Sequence, residues 1–341
     1  MWLTEKLQII MLSASIAISS SNARGDAVND DIIEFGSFIY SEKVPGALFL
    51  LSEIEKDDSF DLRKALRSKN VDTIVLASDG GLVKEALNLA GIIFDNKIST
   101  YVPELPGSFG CFSACAFMYL SGNQRLADGK LGVHQIAYAA DVDSKQHVAG
   151  KVQQATQYTI SEIIGFLNHF DTPPWVFEKM FLSREMYIFS KEESDLLRKG
   201  GIDEQRKKQL DSFIFDLISL PIESCIQHVE DILGFRKIDF QPGTANITES
   251  GKETLGHISN LLALCSEGEI EIGGHTDSQG RAGMNLDLSQ SRAVAVMRFL
   301  MDHEKFKVKF VARGYGESFP RADNGTTEGR ETNRRIEFRI K

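Results

Sequence analysis

The sequence predicts a fold of two successive α/β units, and three observations carry the prediction. From position 46 to 103 the short apolar runs GALFLLS, VDTIVLAS and ISTYVP alternate with helix-patterned stretches across brief links, the pattern of a parallel sheet with crossover helices. After Gly200-Gly201 the text changes to a charged, then apolar helical stretch, followed by a fresh succession of helices and strands. The chain has 341 residues, 42% hydrophobic and 25% charged, an ordinary globular composition with enough apolar residues for two cores.

Taken in order, the N-terminus sets Lys6 before an apolar run from Leu7 to Ile18, with small residues at Ser21-Asn22-Ala23. Residues 1–23 therefore read as a signal peptide, with an uncleaved anchor as the alternative, since the run is shorter than the roughly 20 residues a spanning helix needs. No cysteine follows the proposed cleavage site, which argues against a lipoprotein. In an oxidising compartment the four cysteines become disulfide candidates. Cys225 and Cys265 bracket the first strand and helix of the C-terminal unit and would form a sensible staple, whereas a bridge between Cys111 and Cys115, four apart, is unusual. No further Cys or His pair has zinc-ligand spacing, so neither metal nor cofactor is expected. A net charge of −10 and a pI of about 5.3 argue against a general nucleic-acid binder, which needs a basic face.

The N-terminal unit is expected over residues 32–203. Strands are read at 32–41, 46–52, 71–78 and 98–103, and helices at 58–68 and 83–96, the latter with Leu87, Ala90 and Ile93 inward. The strand at 71–78 stops at Asp79-Gly80-Gly81. Next comes PGSFGCFSACAFMYLSGNQRLADGKLGVHQ, in which Ser113 heads a run of small and apolar residues suited to a buried helix. A hydroxyl at that end of a helix faces free backbone N–H groups and the positive end of the dipole, which favours developing negative charge. A strand at 131–135 ends by presenting His134, and one helix and a return separate the two residues, so they can meet. Residues 141–180 repeat apolar side chains at helical spacing, with a turn and restart at Pro173-Pro174-Trp175. A single linking helix is read at 204–224, ahead of a C-terminal unit at 225–341. Within that unit strands are expected at 238–241, 269–272, 306–312 and 335–340, with a helix at 250–264 and the pair Gly273-Gly274 turning the chain after the second strand.

That second strand leads into a loop bearing Asp277 and a helix bearing Arg292. A carboxylate and a planar, two-pronged cation on one strand–loop–helix unit could hold a zwitterion, the amine on one and the carboxylate on the other. A plain surface ion pair is the simpler reading of two such residues alone. The surrounding motifs GHTDSQG, NLDLSQSRA, GYGESFP and GRETNRRIEF resemble, in order and spacing, the OmpA-like peptidoglycan-binding domain. The resemblance implies an α+β domain in which Asp277 and Arg292 grip the diaminopimelate of the peptidoglycan stem peptide, with Thr276, Asn285, Leu286 and Arg335 lining the groove. It also implies a periplasmic, cell-envelope location, with outer-membrane association as an extension.

The set SDGG, Ser113 heading its small-residue helix, and GVHQ resembles the ClpP-like and signal-peptide-peptidase-like serine peptidases of the crotonase superfold, across roughly Ala47 to Asp203. That resemblance implies a spiral of parallel sheet and helices, Ser113 as nucleophile, His134 as its base, and the amides of Gly80 and Gly81 as oxyanion hole, acting on a peptide or protein. It also makes the 141–180 helices candidate homo-oligomer contacts, with a core-facing stripe as the equal alternative. The sequence departs from the pattern at the third triad member, where Met186 stands beside Glu185, and Asp141, Asp143 and Asp171 are other carboxylates in the region. A Ser–His dyad and a decayed, non-catalytic scaffold are therefore the two readings. Acyl-CoA chemistry on the same fold suits an exported protein poorly.

Overall fold

The structure is a computed structural model and describes residues 31–135, 160–182, 185–303 and 306–341. The expected signal peptide and the 141–159 part of the expected helices lie outside the described residues. The chain divides into two units, one ending at Ile214 and the other comprising Phe215–Lys341 with a short piece at Pro106–Ser108.

The first unit contains β1 (Ile32–Phe35), β2 (Phe38–Ser41), β3 (Ala47–Leu50), β4 (Thr73–Leu76), β5 (Ser99–Val102), β6 (Gly110–Phe112), β7 (Arg125–Ala127), β8 (Lys130–Val133) and β9 (Tyr187–Ile188). One sheet runs β1-β2-β3-β4-β5-β7, antiparallel across its first three strands and parallel from β3 to β7. A smaller sheet, β6-β8-β9, carries the catalytic candidates at its end. Leu48, Phe49 and Leu50 are all fully buried, because both faces of β3 are covered, and burial of each such side chain stabilises by about 1.5–3 kcal/mol. The helices Asp58–Ser68 and Val83–Asp95 turn Leu62, Ala65, Ala86, Leu89 and Ile93 into this core. The segment expected as one strand at 32–41 is instead a hairpin. Gly36, at φ +57°, makes the turn, where an added Cβ would lie 2.2 Å from the Asp61 carboxylate, and Phe35 pairs with Phe38.

The helix Cys115–Leu120 is buried on every side. Arg125 supports its C-terminal end: this buried guanidinium donates to the carbonyl oxygens of Leu120 (2.5 Å), Leu197 (2.6 Å) and Phe170 (3.3 Å), so among the described residues its hydrogen bonds go to carbonyls alone.

The expected linker helix is two helices, Glu204–Ile218 and Ile222–Phe235, because Pro221 lacks the N–H that a continuous helix would need and instead precedes the second as its N-cap. In the second unit β10 (Gly268–His275) is central, parallel to β11 (Val308–Gly316) and antiparallel to β12 (Ile336–Ile340). Leu255, Ile258, Val296 and Leu300, from the helices Glu249–Leu262 and Ala282–His303, share one core with Ile270, Ile272 and Phe338 of the sheet. Two expectations change here. Residues 238–241 form only an isolated bridge, Phe240 to Ile247, because Pro242-Gly243 folds the segment back at once. Gly273-Gly274 does not turn the chain; β10 runs straight through the pair. Gly274 admits a neighbouring helix, an added Cβ there standing 2.2 Å from the Ser289 carbonyl oxygen, while Gly273 lies against the Tyr315 ring.

Both disulfides are formed. Cys225–Cys265 spans 40 residues, a closure worth roughly 4 kcal/mol in chain entropy, and Cys111–Cys115 spans four. Among the described residues no helix is long and apolar enough to cross a membrane.

Candidate functional site

In the first unit, β6 hands the chain to the helix Cys115–Leu120 through Ser113, and Ser113 takes φ +57°, a left-handed conformation that a non-glycine residue adopts at a cost of about 1–2 kcal/mol. Backbone bonds fix the turn: Phe112 N donates to Ser78 O (2.9 Å) and Ser113 N to Gly132 O (3.0 Å). The hydroxyl so placed is 2.8 Å from His134 Nε2, just past the end of β8. His134 Nδ1 is 2.7 Å from the carbonyl oxygen of Gln135. A carbonyl can only accept, so in the neutral ring Nδ1 is the protonated nitrogen and the Nε2 lone pair accepts from Ser113 Oγ–H. That is the tautomer a general base requires.

Gly80 (φ +105°) and Gly81 (φ +135°) lie alongside. An added Cβ on Gly80 would be 2.8 Å from Ser113 Cβ, so only glycine allows the SDGG turn this close to the nucleophile candidate. The Gly80 amide donates to Ser78 Oγ (3.2 Å), while the amides of Gly81 and Ala114 have no acceptor among the described residues. Of the carboxylates considered behind the histidine, Asp171 pairs with Lys199 (3.6 Å), and Asp141 and Asp143 lie outside the described residues. Met186 is partly exposed, its sulfur beside Gly132. If Ser113 is strained as its φ implies, Ser113→Gly should be more stable than Ser113→Ala by about 1 kcal/mol, read as the gap between their urea midpoints. Coincident midpoints would count against strain.

In the second unit, Thr276 and Asp277 follow the end of β10, and Asn285, Leu286 and Arg292 lie on the helix Ala282–His303. Asn285 is buried, and its Nδ2 faces the carbonyl oxygens of Asp277 (3.3 Å) and Gln279 (3.1 Å) and the Glu317 carboxylate (2.6 Å), pinning the 277–280 loop to the helix. Asp277 Oδ1 accepts from Gln279 N (3.0 Å), and Oδ2 accepts from Arg334 Nη1 (2.6 Å). Arg292 Nε donates to Thr244 O (2.9 Å), and its guanidinium lies 4.9 Å from the centre of the Phe240 ring. Its two terminal nitrogens carry no hydrogen bond among the described residues. Burial and the charge of Arg334 depress the basicity of Arg292, while Asp277 opposes them, so all three groups share one electrostatic neighbourhood. Asp277 and Arg292 are not paired directly; a held carboxylate and a half-buried cation with open prongs stand as separate poles.

Thr276 Oγ1 is buried and without a partner among the described residues, and Leu286 is 49% exposed at the rim. The guanidinium on Asp277 belongs to Arg334, whereas its neighbour Arg335 turns to Glu337 (2.6 Å) and to the carbonyls of Asn333 and Phe319. Asn333, fully buried, accepts from Arg321 N and Ala322 N and donates to Ala322 O, so the NRR motif ties down the 321–324 loop as well.

A model of the OmpA family matches residues 239–334. Motility protein B of Bacillus subtilis is 41% identical over 108 residues, covering 30% of this chain and 41% of that protein. Peptidoglycan-binding protein ArfA of Mycobacterium tuberculosis is 33% identical over 101 residues, covering 30% of this chain and 31% of that protein. Among solved structures, the peptidoglycan-associated lipoprotein from Burkholderia pseudomallei aligns at 24% identity and a TM-score of 0.28, covering 32% of this chain and 93% of that one. The chain thus matches less than half the length of the two curated relatives, and each match covers about a third of the chain. With the family match lying inside the second unit and the Asp277, Asn285 and Arg292 frame built there, the C-terminal unit is an OmpA-like domain.

Proposed function

We propose that this is an exported cell-envelope protein of the periplasm, held non-covalently to peptidoglycan by its OmpA-like domain and carrying a serine peptidase-like unit of the ClpP/crotonase kind. The observation that carries the anchor is the pair of poles at Asp277 and Arg292. The carboxylate, steadied by Arg334, receives the ammonium of a diaminopimelate residue, and the open prongs of Arg292 receive its carboxylate. The name of one relative, a peptidoglycan-binding protein, supports a wall-facing role. Co-sedimentation of the full chain with purified sacculi, competed by free diaminopimelate, tests the anchor; failure to pellet would remove it.

For the first unit the carrying observation is the 2.8 Å contact between a strained Ser113 and His134. His134 Nε2 takes the hydroxyl proton as Ser113 Oγ attacks a peptide carbonyl. The Gly81 amide, without an acceptor of its own among the described residues, holds the oxyanion, while the Gly80 amide is engaged by Ser78 Oγ; the imidazolium protonates the leaving amine, and water then hydrolyses the acyl-serine. A carbonyl behind the ring fixes its tautomer but stabilises imidazolium less than a carboxylate, so turnover is slow. The same feature favours the second reading, a wall-bound scaffold whose peptidase-like unit binds partners without cleaving them. A fluorophosphonate probe separates the two. Labelling of wild type, its loss in Ser113→Ala and a fall of about a thousandfold in His134→Ala are expected for the enzyme. An unlabelled wild type leaves the scaffold.

A further inference from the structure

Cys111 and Cys115 bracket Ser113 symmetrically, and their disulfide closes a ring that holds only Phe112, Ser113 and Ala114 between them. We infer that this bridge is a positioning device for the serine, holding it in the left-handed conformation that sets Oγ on His134. The inference rests on the serine–histidine reading above and extends it to residues with no part in proton transfer.

Three features carry it. A ring this short removes little freedom from the unfolded chain compared with the 40-residue loop closed by Cys225–Cys265, so its effect is local. The segment it closes needs a local restraint. Phe112 and Ser113 each donate one backbone bond, the Ala114 amide donates none among the described residues, and Ser113 sits at φ +57° against its intrinsic preference. A relaxed serine at negative φ would swing Oγ away from Nε2. Third, the two ends are fixed differently: Cys111 lies in β6, paired with Leu131 of β8, the strand that leads to His134, while Cys115 begins the helix that follows Ser113. The bridge therefore ties the helix on the serine's far side to the sheet that presents the histidine. Both cysteines are fully buried, so a thiol in solution does not reach the bond in the folded protein. The bridge is a fixed brace, best tested by substitution.

The test compares full-length wild type with Cys111→Ala/Cys115→Ala, keeping Cys225–Cys265 oxidised. Two readouts are used: the rate of fluorophosphonate labelling, and the His134 imidazole ¹⁵N resonances with and without Ser113→Ala in each background. Labelling is expected to fall about tenfold or more without the bridge, as for a misplaced reacting group. In the bridged protein Ser113→Ala should shift the Nε2 resonance. In the bridgeless protein that resonance should already lie at the shifted position and not respond. Labelling within twofold of wild type, with Nε2 still responding to Ser113→Ala, overturns the proposal. Should wild type not label at all, the peptidase reading fails, while the resonance comparison still decides the positioning claim. Should the double variant not fold, Cys111→Val/Cys115→Ala fills the vacated volume. Global unfolding of both would overturn the proposal in favour of a purely structural bridge.

Discussion

Asp277→Ala is expected to abolish retention of the chain on diaminopimelate-containing sacculi, weakening binding by roughly a hundredfold or more, as measured by co-sedimentation against sacculus concentration. The size follows from what the carboxylate does. It is largely buried, takes one hydrogen bond from Gln279 N and another from Arg334, and moderates the repulsion between Arg334 and Arg292. Its removal takes away the anionic pole and leaves two guanidiniums facing a ligand ammonium, and losing one partner of a desolvated charge pair costs about 2–5 kcal/mol. Asp277→Asn separates charge from shape. It keeps a polar group of the same size beside Gln279, so it should bind nearly as poorly as the alanine variant if the ammonium is what Asp277 recognises. Arg292→Lys keeps the charge but loses the fork, and should fall between wild type and Arg292→Ala. Undiminished pelleting of the Asp277→Ala/Arg292→Ala protein would sink the zwitterion model.

Much of this arrangement was legible in the sequence, unevenly and for physical reasons. The helix at 58–68 is legible to its observed bounds because an amphipathic stripe with a clear end is a local property, and the buried parallel strands are visible as unbroken apolar runs. The hairpin at 32–41 was hidden because a tight turn needs only Gly36-Ser37, too little to interrupt the alternation around it. Gly273-Gly274 looked like a turn because sequence does not distinguish a glycine that bends the chain from one that admits a neighbouring backbone; only Ser289 decides. In the site, Asp277, Asn285 and Arg292 are tied to one strand–loop–helix unit and could be named together. Sequence does not say which arginine of the pair meets Asp277: two adjacent residues entering a strand point to opposite sides, and the structure sets Arg334 on Asp277 and Arg335 on Glu337. The signal for Arg334 was present only as the doubled arginine. A Cys111–Cys115 bridge is unusual at that spacing, yet a left-handed residue between the cysteines accompanies its closure.

Glu337→Gln is expected to lower the stability of the C-terminal unit by about 3 kcal/mol at neutral pH, the scale for breaking a buried ion network by removing one member. Glu337 lies on β12 opposite Gly273, only 5% exposed; it accepts hydrogen bonds from Arg335 (2.6 Å) and Arg339 and forms an ion pair with Arg321 Nε at 2.8 Å. His275 Nε2 stands 3.5 Å away, beyond a well-directed hydrogen bond. Burial pushes the Glu337 carboxyl up, but the contacts from His275 and Arg335 outweigh it and hold the group well below the usual carboxylate range. Because the folded value lies below the unfolded one, the unfolded chain takes up this proton first as the solution is acidified. The contribution is therefore complete above about pH 4.5 and drains away as pH falls toward the depressed folded value. Glu337→Gln should flatten that acid limb as well as lower the plateau, and hydrogen exchange of the β12 amides reads both within this unit. An unchanged limb would mean that other carboxylates govern acid unfolding. Because Arg335 is held by Glu337 while its neighbour Arg334 holds Asp277, the variant should also loosen the anionic pole. Under conditions where the unit remains folded, sacculus binding should then weaken, though by less than in Asp277→Ala, because the charge that meets the ligand is still present.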